Sequence, residues 1–407
     1  MTRIPPHRES IAPILSRQMW HLEGKILCAE AQRRTGLSDF GDPPIEPALS
    51  ALTKSLEQEA NLHPLGRFLM RSHLRGLIET RLQLTDLWKG EMEKPEASPV
   101  TRPIFITGMP RSGSTFLHEL LLQDSALRAP RVWEVMFPAA ATDPDRARKN
   151  LSLWSAGWCL WWFRQLAPKA DSVHPIRARS PQECVAIHSY SFLSEEFVAT
   201  CRVPGYEAFL RSSDLRPAYA WEKRFLQHLQ RGSRADRWVL KSPDHVYGME
   251  ALFSIFPDAL IVQIHRDPLE VLRSSIQLVE VLQGLFARPG DRQELAAHEA
   301  RNLASAMERF VEFRDAHPEI ADRFLDVNYG ELVADPLAVV RLIYERFQLP
   351  MTVATGARID QLGRSRSRYS GRRTASTLGE LGLNVRELAG QFKRYCSRFG
   401  IPCRTER

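Results

Sequence analysis

Apolar residues recur at helical spacing through the first quarter of the chain. Leu49, Leu52 and Leu56 form one stripe; Leu62, Leu65 and Leu69 keep the period; Leu74, Leu77, Ile78 and Leu82 form another. Steps of three and four residues put side chains on one face of a helix. Pro64 suits a helical first turn, where its missing N–H costs nothing, so a new helix is expected to start there. Residues 91–99, polar and carrying two prolines, read as a linker.

Beyond the linker the pattern changes to short continuous apolar runs. Pro103–Thr107, Trp238–Leu240, Ala259–Ile264 and Phe324–Asn328 predict buried strands. Helical stretches follow them, at Ser114–Gln123 and about Val246–Phe256. Asp267–Pro268 and Asp335–Pro336 each read as an N-cap followed by proline at the first helical position. Strands alternating with helices predict an α/β fold, with a central parallel sheet covered on both faces. The division expected is a helical extension over 1–98 and a three-layer domain over 99–407. Ligands of such sheets bind at the carboxyl ends of the strands. The loops at 108–115, 241–245 and 265–268 all fall at such ends.

Composition narrows the picture a little. A chain of 407 residues, 43% hydrophobic and 25% charged, is that of a globular protein with a substantial core. The net charge of +7 suits an anionic partner without naming one. Six cysteines without a C-x-x-C pair predict free thiols, and no His/Cys group has zinc spacing. The start of the chain lacks the apolar core of a signal peptide. No run of 18 apolar residues occurs. A cytoplasmic location is therefore expected.

The chemistry concentrates in Gly108-Met-Pro-Arg-Ser-Gly-Ser-Thr115. Its glycines have P-loop spacing, but the lysine position holds Ser114, and Arg111 stands inside the loop. Glycines let the backbone N–H groups converge on an anion, and the following helix adds its positive end. A P-loop kinase would need the lysine and a strand ending in a metal-binding aspartate. The later strands end instead in Lys241 and Arg266, which predicts a metal-free site that neutralises anions with side-chain cations. Arg266 and Ser274 are eight residues apart, and a guanidinium and a hydroxyl can meet on one phosphate.

These motifs resemble the sulfotransferases that use 3′-phosphoadenosine-5′-phosphosulfate (PAPS). Pro110–Thr115 resembles that family's 5′-phosphosulfate loop, and Arg266 with Ser274 its 3′-phosphate site. Trp238–His245 and Val327–Pro336 are similar to stretches of the bacterial branch that acts on small or lipid alcohols. Two departures are visible: Ser-Gly-Ser-Thr stands where Ser-Gly-Thr-Thr is usual, and Asn328-Tyr-Gly-Glu replaces the commoner Arg-Tyr-Glu-Asp.

The resemblance implies a PAPS site built from Arg111, Ser112, Gly113, Ser114, Thr115, Arg266 and Ser274. It adds Tyr329 near the adenine, and Arg372 and Arg373 of a C-terminal basic loop over the 3′-phosphate. Lys241 and Arg111 are expected to balance charge around the transferring group. Glu134 is expected as base, because in some relatives a catalytic glutamate follows the loop cation at a comparable spacing, here 23 residues. Glu183 and His188 stand in reserve.

The run from Leu151 to Phe163 holds four tryptophans, Trp154, Trp158, Trp161 and Trp162. It reads either as a buried core helix or as the wall of an apolar substrate pocket that touches membrane. With Ile187, Tyr190, Phe192, Phe197 and Tyr206 as a second candidate lining, it points to a lipophilic alcohol as acceptor. The five arginines of 364–373 allow a nucleic-acid tail, but aromatic interleaving is thin. A P-loop kinase, or a nucleotide- or nucleic-acid-binding module without chemistry, is the competing reading.

Overall fold

A computed structural model describes residues 21–91, 99–166, 168, 171, 175–231, 237–366 and 376–403. The Arg372 and Arg373 expectations lie outside the described residues. Five strands form one parallel sheet: β1 (Ile104–Gly108), β2 (Leu127–Arg128), β3 (Arg237–Lys241), β4 (Leu260–His265) and β5 (Phe324–Asn328), in the order β2-β3-β1-β4-β5. The central strand, Ile-Phe-Ile-Thr-Gly, is buried along its whole length. A two-sided apolar strand is what a sheet covered on both faces selects.

Alternation sorts the strand residues between two cores. Ile104, Ile106, Val239, Val262 and Ile264 face the helices Ser114–Leu121, Pro336–Phe347 and Val353–Arg366. Phe105, Leu240 and Ile261 face a larger core that holds Trp221, Phe225 and Phe310. The chain leaves β1 toward β2 and β3 on one side and returns to β4 on the other. The loop after β1 therefore lies where the strand order reverses.

The N-terminal helices Gly24–Thr35, Glu46–Gln58 and Pro64–Glu91 belong to the larger core. Leu49, Leu52, Leu74, Ile78 and Trp88 are packed into the same apolar cluster as Leu240 and Ile261. Arg81 ties the two parts together. Fully buried, it donates to the carbonyls of Phe40 (2.7 Å), Pro43 (2.6 Å) and Tyr190 (2.9 Å), and its guanidinium lies 3.9 Å from the Trp221 ring centre. Desolvation lowers its pKa to about 9. No helix among the described residues is long and apolar enough to cross a membrane.

Candidate active site

The loop after β1 is shaped by two glycines in the left-handed half of backbone space. Gly108 has φ 142°, and a Cβ there would stand 2.5 Å from the Ile264 carbonyl oxygen. Gly113 has φ 97° and caps the helix Ser114–Leu121, with the Tyr329 ring 2.9 Å from where its Cβ would be. Only glycine fits such positions without strain. The first-turn N–H groups of the helix have no partner inside it and face the loop's concavity. Ser112 Oγ is buried and makes no hydrogen bond among the described residues. These features fit a phosphate-bearing group.

A second anion position lies beside the first. Arg111, itself at φ 64°, sends Nε 3.1 Å to Ser274 Oγ. Arg266 Nη1 donates 2.8 Å to the Arg111 carbonyl, Nη2 reaches Glu270 at 3.2 Å, and the guanidinium lies 4.1 Å from the Tyr329 ring centre. Arg266 Nε is buried with no partner among the described residues. Burial, and then the Arg266 charge, lower the pKa of Arg111. Two guanidiniums held together in this way favour an anion between them. The expected set of Arg111, Arg266, Ser274 and Tyr329 is thus brought together. Arg111 belongs to both positions, with its backbone in the loop and its guanidinium at the serine.

Ser114 is buried at the first turn of the loop helix, and Thr115 is exposed. Lys241 ends β3 next to Ile106 of β1, buried, and pairs with the Glu183 carboxylate across 58 residues of sequence. His118, on the loop helix, packs against this corner, with Nε2 3.1 Å from the Val239 carbonyl oxygen. Burial, and then the Lys241 charge, hold its pKa down at about 4. His118 belongs to none of the sequence motifs; its place four residues after Ser114, one helical turn on, is the signal that points to it.

The carboxylates separate into two roles. Glu134 accepts from Arg128 Nη2 and from the Arg131 backbone N–H, both at 2.9 Å, and closes a capping box on the helix Val132–Met136. Arg128 is in turn fixed by the Leu229 carbonyl (2.8 Å) and the Trp238 ring (4.7 Å). Glu134 is not among the residues lining the cavity beside the loop, whereas Glu183 is. His188 is buried and spends Nε2 on Glu222 Oε2 at 2.9 Å; that pairing raises its pKa against the opposing pull of burial.

The cavity, about 390 Å³, begins at Gly108, Met109 and Pro110. Val185, Ala186, Val198, Leu272, Leu303 and Met307 give it a largely apolar wall, and Glu183 and Asp244 stand in it. The expected lining is corrected in detail. Ile187, Tyr190, Phe192, Phe197 and Tyr206 turn into the protein core, while their small neighbours face the cavity. The tryptophan helix Arg146–Leu166 neither lines this cavity nor is buried: Trp154 is 64% exposed, and Trp158, Trp161 and Trp162 are between 40% and 49% exposed.

The site thus combines a glycine-shaped anion loop, a paired-arginine position beside it and an apolar cavity whose wall holds the carboxylate partner of Lys241. The sequence profile of the sulfotransferase family matches residues 103–353, and the chain belongs to that family. Among curated proteins, the omega-hydroxy-beta-dihydromenaquinone-9 sulfotransferase Stf3 of Mycobacterium bovis and that of Mycobacterium tuberculosis are each 26% identical over 256 residues. Those matches cover 61% of this chain and 63% of the relative, so the chain spans less than two thirds of their length. Two solved structures are similar at 27% identity. Sulfotransferase STF9 from Mycobacterium avium has a TM-score of 0.79, covering 94% of this chain and 97% of the other. STF1 from Mycobacterium tuberculosis H37Rv has a TM-score of 0.75, covering 92% and 99%.

Proposed function

We propose that the protein transfers a sulfuryl group from PAPS to the hydroxyl of a lipophilic small molecule. One observation carries the reading: Pro110 of the anion loop and Glu183, paired with Lys241, line the same apolar cavity. An acceptor in that cavity would present its hydroxyl where the loop and the cation meet. The relatives named for a menaquinone-derived acceptor support a lipid-like alcohol.

PAPS supplies the sulfuryl group, carried on its 5′-phosphate. The loop N–H groups with Ser112, Ser114 and Thr115 cradle that phosphate, and Arg266, Ser274 and the Arg111 guanidinium hold the 3′-phosphate. Tyr329 keeps the Arg266 plane in place and packs beside the nucleotide. Lys241 neutralises charge developing on the leaving phosphate oxygen. Glu183 replaces Glu134 as the proposed base, because it stands at the cavity wall while both Glu134 oxygens are committed to capping and an ion pair. When Lys241 turns to the leaving oxygen, it no longer competes for the Glu183 carboxylate, which takes the hydroxyl proton.

Calorimetric titration tests the donor site. Adenosine 3′,5′-bisphosphate is expected to bind at least about tenfold more tightly than adenosine 5′-monophosphate, the worth of one charge-assisted contact. Equal affinity for the two, or binding of magnesium-ATP in preference to both, overturns the assignment.

A further inference from the structure

The helix Arg146–Leu166 carries a surface that the proposed reaction does not use. Leu151, Trp154, Trp158, Trp161 and Trp162 are five of the large apolar side chains exposed among the described residues. At 100° per residue they fall within an arc of about 100°, one face of the helix. Buried Ala156 lies on the opposite side, and the helix packs against Val132–Met136 and Pro138–Ala141. The outward rings are ordered against one another. Trp154 and Trp158 stack at 5.8 Å and 10°, Trp158 and Trp161 at 5.4 Å and 16°, and Trp162 meets Trp161 edge-on at 4.9 Å.

The charged residues of the helix itself have one sign. The helix holds Arg146, Arg148, Lys149 and Arg164 and no acidic residue. Arg148 is balanced by Asp143 at 3.2 Å and Asp145 at 3.9 Å, and the Lys149 charge acts on Asp143, while the Arg146 and Arg164 side chains make no ion pair among the described residues. Tryptophan prefers the boundary between water and hydrocarbon, where its ring is buried and its N–H stays wet. A helix with tryptophan and leucine on one face and cations beside it lies in the plane of an anionic bilayer surface.

In sequence, the helix leads on to the cavity wall. Downstream of the helix, Ser180 and Ala178 carbonyls accept from Val132 and Trp133, and the chain bridges Arg131 to Pro181. Ile176, ten residues past the helix end at Leu166, lines the cavity with Gln182 and Glu183.

We infer that the tryptophan face of Arg146–Leu166 docks the protein on an anionic lipid surface. The inference rests in part on the lipophilic-acceptor reading, but the docking itself is measured without turnover. The full chain is sedimented with phosphatidylcholine vesicles, with or without a quarter phosphatidylglycerol. The expected result is at least about tenfold tighter binding to the anionic vesicles, weakened by salt. Brominated acyl chains should quench tryptophan emission.

Replacing Trp154, Trp158, Trp161 and Trp162 together by serine should abolish both signals. Arg146→Glu with Arg164→Glu, both on one flank of the tryptophan arc, should remove the preference for anionic lipid. Adenosine 3′,5′-bisphosphate titration of each variant shows whether the fold and the donor site are intact, so failure of docking is read apart from failure of the sulfotransferase reading. Wild-type protein that stays in solution with both vesicles overturns the inference. So does a tryptophan variant that binds nucleotide and still sediments. A wild type that dimerises through this face and ignores vesicles overturns it as well.

Discussion

Glu183 and Glu134 are both partly or wholly withdrawn from water and both held by cations, yet their surroundings predict opposite phenotypes. Glu183→Gln should leave nucleotide affinity unchanged and lower kcat by about 10²- to 10⁴-fold, the range for loss of a general base. Glu134→Gln should retain kcat in the folded protein and cost about 1–3 kcal/mol of stability, because Arg128 loses the partner of a half-buried ion pair. Single-turnover kinetics and urea unfolding on both variants separate the two roles; a large kcat loss confined to Glu134→Gln would restore that residue as base. The legibility of these residues followed their distance in sequence. The pairing of Glu134 with Arg128 spans six residues and sits on one local turn, and Arg266 with Ser274 is set by helix geometry. Glu183 and Lys241 are joined only when the start of the helix Cys184–His188 meets the end of β3, and a periodic pattern carries no record of that.

At the scale of the element, the loop after β1 depends on Gly113. Gly113→Ala places a side chain at φ 97° and 2.9 Å from the Tyr329 ring, and the backbone strain alone costs about 1–2 kcal/mol. The ring can yield only by leaving the Arg266 guanidinium that it covers. Weaker binding of the 3′-phosphorylated nucleotide is therefore expected together with a lower Tm. Calorimetry with and without the 3′-phosphate checks it: an equal loss for both nucleotides would place the damage in the loop alone. Strand and helix periods revealed β1, β3, β4 and β5 and the capped helices after Asp267 and Asp335, whose carboxylates do accept backbone N–H groups. The tryptophan helix was visible as a helix, but its environment was not. An apolar arc tells which side chains share a face, and the same arc serves a core or a surface. The division of the N-terminal helices as an extension was likewise drawn from a polar linker, and a linker carries no information on the apolar cluster that those helices share with the sheet.

Across the whole molecule, buried histidines make stability depend on pH. His118 and His245 are both held at about 4, chiefly by burial, below the ordinary value of about 6.5. Between these values the unfolded chain binds protons that the folded one refuses. Their contribution is therefore present above about pH 6.5 and drains as pH falls toward 4, by on the order of 1 kcal/mol per pH unit for each group. His188, net raised by Glu222 against burial, contributes fully below the unfolded value and adds little slope in that window. His118→Gln should flatten the decline relative to the native chain, as measured by urea unfolding at pH 6.5, 5.5 and 4.5; parallel curves would show that His118 is not a source of it.

The Arg81 guanidinium has a consequence for inheritance. It gathers carbonyls from Phe40, Pro43 and Tyr190 and presses on Trp221, so segments far apart in the gene close around one side chain. The stretch that the family profile recognises begins at residue 103, downstream of that arginine. A recombination event that copied only the recognisable stretch would carry the donor loop, the strands and Lys241 into a new host chain, but would leave Trp221 and the Tyr190 carbonyl facing a gap. The unit that evolution can recognise and the unit that it can move are different lengths here, and the N-terminal helices must travel with the chemistry.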